Sequence, residues 1–306
     1  MTPTLPHLTS QGIELDLAPQ GFGELRRSDD AFDDIETLRA RMNDDGYLYL
    51  PGYLDRDEVA SARHEMLRRL AEERVLDESA PFDEGRIKPN VEMTFRADLA
   101  LDNPQLQRVL YDGAMMQFWA KFFGEAVRHF DYTWVRAVAP GLGTAPHCDI
   151  VYMGRGTPEL FTAWTPLGDT TLEMGGLIVL EDSHKHQKLR DNYGRKDVDA
   201  FCTNGSGSES PATRTGNNVR TNGWLSKNPA KLRERLGGRW LSNEFRMGDL
   251  LVFSVFTVHA SLDNQSDKIR LSSDSRYQRA SEPADERWIG ANPIGHGPDG
   301  KRGVIC

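Results

Sequence analysis

The sequence has few cysteines, no long apolar run and no excess of basic charge. Its cysteines, Cys148, Cys202 and Cys306, are odd in number and lack paired spacing, which argues against a disulfide scaffold and fits a reducing compartment. No run is long and apolar enough to cross a bilayer. The first residues show neither a basic, apolar leader nor an Arg-rich amphipathic pattern. We therefore expect a cytoplasmic protein.

The charge balance limits the partners. A formal net charge of −9 opposes attraction to phosphate backbones and anionic lipid, so we expect a small-molecule substrate and neither nucleic acid nor membrane as partner. The oligomeric state is left open. A chain of 306 residues with 38% hydrophobic side chains can bury one full core, which predicts a single domain over 1–306.

The chain divides into a helical first part, about 1–129, and a strand-rich part, about 130–280, followed by a tail at 281–306. Phe32, Ile35, Leu38 and Met42 recur at helical spacing, and Asp55 can cap a second helix. A third helical region begins at Pro104. Short β-rich runs with Gly and Pro breaks follow Phe130, a pattern typical of a sandwich or barrel. They are Tyr132–Val138, Leu160–Pro166, Gly176–Leu180, Asp249–Phe256 and Arg270–Gln278.

A polar insertion interrupts the strand-rich part at about 182–222. Its centre, Asn204 to Ser210, is rich in Gly and Ser. Such a segment is too long for a passive connection in a compact domain. We expect a lid or a substrate-binding insertion.

Three side chains suggest a metal site. His147 and Asp149 are two residues apart, so on an extended strand both would point to one face. His259 follows an apolar run that begins at Gly248. Two histidines and one carboxylate form the facial triad of non-haem Fe(II) oxygenases. A His-x-Asp pair alone usually marks a polar turn, so the assignment needs further support.

Arg270 supplies that support. It lies eleven residues after His259, at the start of a predicted strand, where a guanidinium can bind a carboxylate through two hydrogen bonds. A 2-oxoglutarate site requires such a residue, because the other end of this cosubstrate chelates iron. The pattern thus favours an oxygenase that uses Fe(II), 2-oxoglutarate and O2.

The same residues and their surroundings resemble the phytanoyl-CoA dioxygenase-like family. The resemblance covers nearly the whole chain and rests on the order and spacing of several motifs. These motifs are Asp45 to Leu54, His147-x-Asp149, Trp164 to Asp169, Glu173 to His184, Gly248-Asp249, His259 to Ser261, and Arg270. The chain has Glu181-Asp-Ser-His184 where Pro-Gly-Ser-His is commonest, a departure that concerns the shape of this turn and not the iron site.

The resemblance implies a mainly β fold with flanking helices, built on a double-stranded β-helix of the jelly-roll, cupin-like kind. It implies that His147, Asp149 and His259 hold iron and that Arg270 binds the distal carboxylate of 2-oxoglutarate. Ser261 and Trp164 would line the cosubstrate pocket. The expected reaction is hydroxylation of an unactivated C–H bond of a small molecule, with release of succinate and CO2. The carboxylate of Asp149 favours hydroxylation over halogenation, with desaturation or ring formation as variants.

Other assignments stay open from the sequence. His184 and His186 could act near the site, although polar-loop histidines are usually solvated or structural. Arg276 shares the strand parity of Arg270, so it could bind a substrate anion or pair with Asp274 or a surface carboxylate. Cys148 should point away from the metal. The rival functions are a cupin-type metal enzyme that does not use 2-oxoglutarate, and a non-catalytic binding protein on the same fold.

Overall fold

The computed structural model describes residues 7–203 and 223–305. Its α-helices are α1 (Ile35–Asp45), α2 (Arg56–Glu72), α3 (Pro104–Tyr111), α4 (Gly113–Phe123), α5 (Ile150–Met153), α6 (Gln187–Asn192) and α7 (Pro229–Leu236). The first strands are β1 (Thr9–Ser10), β2 (Ile13–Glu14), β3 (Phe22–Glu24), β4 (Tyr47–Leu50), β5 (Val127–His129) and β6 (Trp134–Val138). The remaining strands are β7 (Phe161–Pro166), β8 (Leu177–Leu180), β9 (Ala200–Cys202), β10 (Trp240–Ser242), β11 (Leu250–Ser254), β12 (His259–Ser261), β13 (Arg270–Arg279) and β14 (Arg302–Val304).

Two sheets form the core. The larger has the order β4-β11-β7-β13-β5, with β6 also paired to β13, and the smaller has the order β12-β8-β10-β3. Trp164 on β7 packs with Leu177 and Val179 of β8 and with Phe253 of β11, so this cluster lies between the sheets. The predicted jelly-roll arrangement with flanking helices is confirmed.

The helices of the first part cover the other face of the larger sheet. Side chains of α1 to α4 share a cluster with Leu48, Ala163, Val252 and Leu271, which lie on β4, β7, β11 and β13. Residue alternation along a strand explains this, because Ala163 turns outward while Trp164 turns inward. The Asp55 carboxylate accepts hydrogen bonds from the backbone N–H groups of residues 57 and 58, as the predicted cap requires.

The predicted insertion at 182–222 is described in part. Residues 187–192 form α6, and β9 pairs in parallel with β14 near the end of the chain. Residues 204–222 lie outside the described residues, so the lid stays a prediction, as does the single-domain organisation. No helix in the described ranges combines the length and the apolar character that a bilayer span requires.

Candidate metal and cosubstrate site

Backbone pairing brings the two predicted histidines together. His147 and His259 pair directly, each backbone N–H donating to the other's carbonyl oxygen at 3.0 Å. Upstream, the N–H of Thr144 donates to Ser261 Oγ at 2.7 Å. Gly143 is needed for this approach, because a Cβ there would lie 2.4 Å from the carbonyl oxygen of Ser261. The segment before His147 therefore lies along β12 as an added strand.

The structure corrects two local predictions. Asp149 does not continue an extended strand: its φ of −66° and ψ of −24° are helical, and α5 begins at the next residue. His259 is not the end of the apolar strand, because β11 stops at Ser254 and a turn separates it from β12. The turn includes the hydrogen bond from the N–H of Thr257 to the Ser254 carbonyl. The three side chains meet although neither predicted strand is continuous.

The three predicted ligands form a compact, buried donor set. One atom each from His147, Asp149 and His259 lies within 4.8 Å of the others. Asp149 Oδ1 is 3.7 Å from Nε2 of each histidine. In each imidazole, Nδ1 contacts a backbone carbonyl, that of Ala145 at 2.8 Å or Thr257 at 3.1 Å. A carbonyl can only accept, so Nδ1 carries the proton and Nε2 offers its lone pair.

The protonation states suit a divalent cation. Burial, together with the neighbouring His259, lowers the pKa of His147 to about 3, and burial lowers the pKa of His259 as well. Burial alone would raise the pKa of Asp149, but the charge of Arg276 and the two histidines hold it well below its usual range. At neutral pH the donors are thus two neutral imidazoles and a carboxylate, which are the forms that bind metal.

The second oxygen of Asp149 is held by the protein. Thr162 Oγ1 donates to Asp149 Oδ2 at 2.5 Å, and Arg276 Nη2 donates to the same oxygen at 2.9 Å. Arg276 also donates to the carbonyl of Asp274 and lies over the Trp134 ring at 4.4 Å. The sequence left Arg276 open between a substrate anion and a structural partner such as Asp274; its carboxylate partner is the candidate ligand Asp149, which the sequence did not indicate.

A narrow cavity connects the donor set with the predicted cosubstrate residues. Its lining includes His147, His259, Trp164, Ser261 and Arg270. Its free volume is about 20 Å³, little more than the space for one water molecule.

Arg270 is available for an anion. The side chain is 2% exposed, its Nη1 donates to Ser272 Oγ at 2.8 Å, and its buried Nε has no hydrogen-bond partner. Burial lowers the pKa of Arg270 to about 10, so it stays charged at neutral pH. A buried cation with an unused donor favours a carboxylate ligand.

Other predicted residues lie apart from this cavity. His184 Nε2 contacts the Asn43 carbonyl at 3.0 Å, and His186 precedes α6. Neither lines the cavity. Cys148 points away from the donor set, as predicted, with Sγ 3.3 Å from the carbonyl oxygen of Phe256.

The sequence did not indicate three further residues of the site: Arg136 and Asp274 line the cavity, and Thr162 contacts Asp149. Thr162 shares the strand parity of Trp164, and Asp274 shares that of Arg270, so both inward positions could have been read from alternation. Arg136 stands in the apolar run Trp134–Val138, and a charged residue inside a buried strand itself indicates a functional position.

A separate cavity of about 600 Å³ lies beside α5 and contains none of the three candidate ligands. The chemistry of the donor atoms therefore identifies the site better than the size of a cavity does.

Comparison with known proteins agrees with this geometry. The family model described as phytanoyl-CoA dioxygenase (PhyH) matches residues 42–272. A 1-deoxypentalenic acid 11-beta-hydroxylase from Streptomyces arenae is 30% identical over 269 residues, covering 81% of this chain and 83% of the relative. The corresponding hydroxylase from Streptomyces exfoliatus is 29% identical over 265 residues, with the same coverage of both chains.

Solved structures agree with the fold. The epimerase SnoN, solved with Fe3+, alpha ketoglutarate and nogalamycin RO, has a TM-score of 0.57 at 23% identity, over 87% of this chain and 94% of that one. EctD from S. alaskensis, solved with 2-oxoglutarate and 5-hydroxyectoine, has a TM-score of 0.55 at 16% identity, over 95% and 94%. The chain therefore belongs to the phytanoyl-CoA dioxygenase family.

Proposed function

We propose that this protein hydroxylates an unactivated C–H bond of a small molecule and releases succinate and CO2. The observation that carries the proposal is the buried set of His147, Asp149 and His259. The two histidines of this set line one cavity together with Arg270. The hydroxylase relatives act, by their names, on 1-deoxypentalenic acid. They support a small organic substrate for this chain without identifying it.

The donor chemistry fits iron. His147 and His259 would each bind Fe(II) through Nε2, and Asp149 would bind through Oδ1, because Oδ2 is occupied by Thr162 and Arg276. A set of three protein ligands leaves coordination positions open. When bound, iron together with 2-oxoglutarate and O2 supplies the oxidant for the C–H bond.

The remaining residues would position the cosubstrate and exclude water. Arg270 would bind the distal carboxylate of 2-oxoglutarate, using the Nε that has no partner among the described residues. Ser261 and Trp164 would line the same pocket. Trp164 is 1% exposed and would separate the pocket from the apolar core between the two sheets. Because Arg270 is buried, bulk water would screen its contact with the carboxylate only weakly.

The function is tested by product analysis. The purified protein, loaded anaerobically with Fe(II), should convert 2-oxoglutarate to succinate when O2 is admitted, and faster once a true substrate is present; 1-deoxypentalenic acid is the first compound to try. Mass spectrometry should then show one added oxygen in the product. Oxidation of a substrate without consumption of 2-oxoglutarate would indicate the cupin-type alternative, and a protein that consumes no 2-oxoglutarate would indicate a binding role.

Arg270 gives a more specific prediction. Arg270→Met should weaken 2-oxoglutarate binding at least tenfold, because losing a charged partner of a carboxylate costs on the order of 1.5–3 kcal/mol. Fe(II) affinity should change little, since Arg270 touches no candidate ligand. Anaerobic titration of both ligands measures this. Unchanged 2-oxoglutarate affinity would remove Arg270 from the cosubstrate site.

The remaining expectations stay predictions. They are the cytoplasmic location, the absence of nucleic acid and membrane partners, and the polar insertion as a lid.

A further inference from the structure

A second arginine lies in the same cavity as Arg270. Arg136 on β6 lines the cavity together with His147 and His259. Its Nε donates to Asp274 Oδ2 at 2.6 Å. The Arg136 side chain is 23% exposed, whereas its partner is 6% exposed. Asp274 thus holds one edge of the guanidinium, and the solvent-accessible part of the side chain is left for the cavity.

The strand register places Arg136 between Arg270 and the metal site. On β13, Arg270 pairs with Val138, Ser272 pairs with Arg136, and Asp274 pairs with Trp134. Two residues further along β13, Arg276 contacts Asp149. These β13 residues share one face, since side chains alternate along a strand. A molecule that reaches from the donor set to Arg270 must therefore pass Arg136.

The two arginines match the charges of the cosubstrate. 2-Oxoglutarate carries two carboxylates, and Arg270 can bind only the distal one if the 2-oxo end lies at the metal. We propose that Arg136 is a second cosubstrate contact, which binds the C1 carboxylate beside the 2-oxo group; this inference rests on the proposed function. Asp274 orients the guanidinium and offsets part of its charge, so the cavity can hold two arginines before the dianion enters.

A comparison of two oxo acids separates the arginines. 2-Oxopentanoate has the chain length and the C1 carboxylate of 2-oxoglutarate but lacks the distal carboxylate. Arg136→Met should weaken the binding of both acids by a similar factor, on the order of 10- to 100-fold. Arg270→Met should weaken 2-oxoglutarate and spare 2-oxopentanoate. The readout is the dissociation constant from anaerobic titration of the Fe(II) protein, followed by its visible charge-transfer absorption.

Two further variants separate binding from a structural role. Arg136→Met leaves the buried Asp274 without its partner, which lowers stability. The double variant Arg136→Met with Asp274→Asn removes that unpaired charge, so it should recover the melting temperature but not the affinity for either oxo acid. Arg136→Lys, which keeps the charge without the planar geometry, should recover part of the affinity.

Each result has a distinct meaning. If Arg136→Met weakened only 2-oxoglutarate, Arg136 would act at the distal carboxylate and the proposal would be wrong. If both acids bound normally, or if the double variant regained affinity, Arg136 would be a structural partner of Asp274. If the unmodified Fe(II) protein bound neither acid, the proposed function would fail, and this inference with it.

Discussion

Replacement of His147, Asp149 or His259 by Ala is expected to reduce tight Fe(II) binding and to bring succinate formation to background. The physical reason is that each side chain supplies one of the three donor atoms found within 4.8 Å. Loss of one donor leaves two, and an Asp149 variant also loses the only negative charge of the set. Metal content after anaerobic loading and succinate release measure the two effects separately.

Cys148→Ala is the matched control for these variants. Cys148 lies between two candidate ligands, is 1% exposed, and turns its Sγ toward the carbonyl of Phe256. The substitution should cost about 1 kcal/mol of stability from lost packing and should leave iron stoichiometry unchanged. An Ala variant of a candidate ligand that kept normal iron content and activity would remove that residue from the ligand set.

The residue types of the site were predictable because metal chemistry restricts them strongly. Few side chains bind Fe(II). In this sequence His147, Asp149, His259 and Arg270 stand in an order and at spacings that limit chance matches. The strand parity of β13 also allowed Arg276 to face the cavity, beside the alternative of a structural partner such as Asp274. These inferences needed only the identity and spacing of residues.

The geometry around the ligands was less predictable because it depends on pairing between distant segments. The sequence indicates neither the turn between β11 and β12 nor the helical backbone at Asp149. The segment at 143–147 pairs with β12, more than 100 residues later in the chain, and the N–H of Ile150 donates to the carbonyl of Val255 in that turn. The contact between Thr162 and Asp149 likewise requires the packing of β7 beside α5, which no local pattern encodes.

The structure shows that Arg276 and Thr162 hold the carboxylate of Asp149, a role that strand parity alone could not indicate. Both donate to Asp149 Oδ2, at 2.9 and 2.5 Å, while Oδ1 faces the two histidines. All three side chains are buried. The two donors should hold the carboxylate as a ligand through one oxygen, which keeps coordination positions open for the cosubstrate and O2.

Arg276→Met and Thr162→Val should each weaken Fe(II) or Co(II) binding, by about 10- to 100-fold, the usual effect of losing a hydrogen-bond partner of a metal ligand. Arg276→Met should have the smaller net effect, because it also removes a buried positive charge that repels the metal cation beside Asp149. Arg276→Lys and Thr162→Ser are the matched controls, since they keep the charge or the hydroxyl group and should recover most of the affinity.

The double variant tests whether the two donors act on one carboxylate. Because Arg276 and Thr162 share a single acceptor oxygen, the free-energy losses in metal binding should not add in Thr162→Val with Arg276→Met. Calorimetric titration with Co(II) measures the affinities, and melting temperatures without metal show whether the fold is retained. Metal affinities equal to that of the unmodified protein, alongside lowered melting temperatures, would show that these residues stabilise β7 and β13 without positioning Asp149 for the metal.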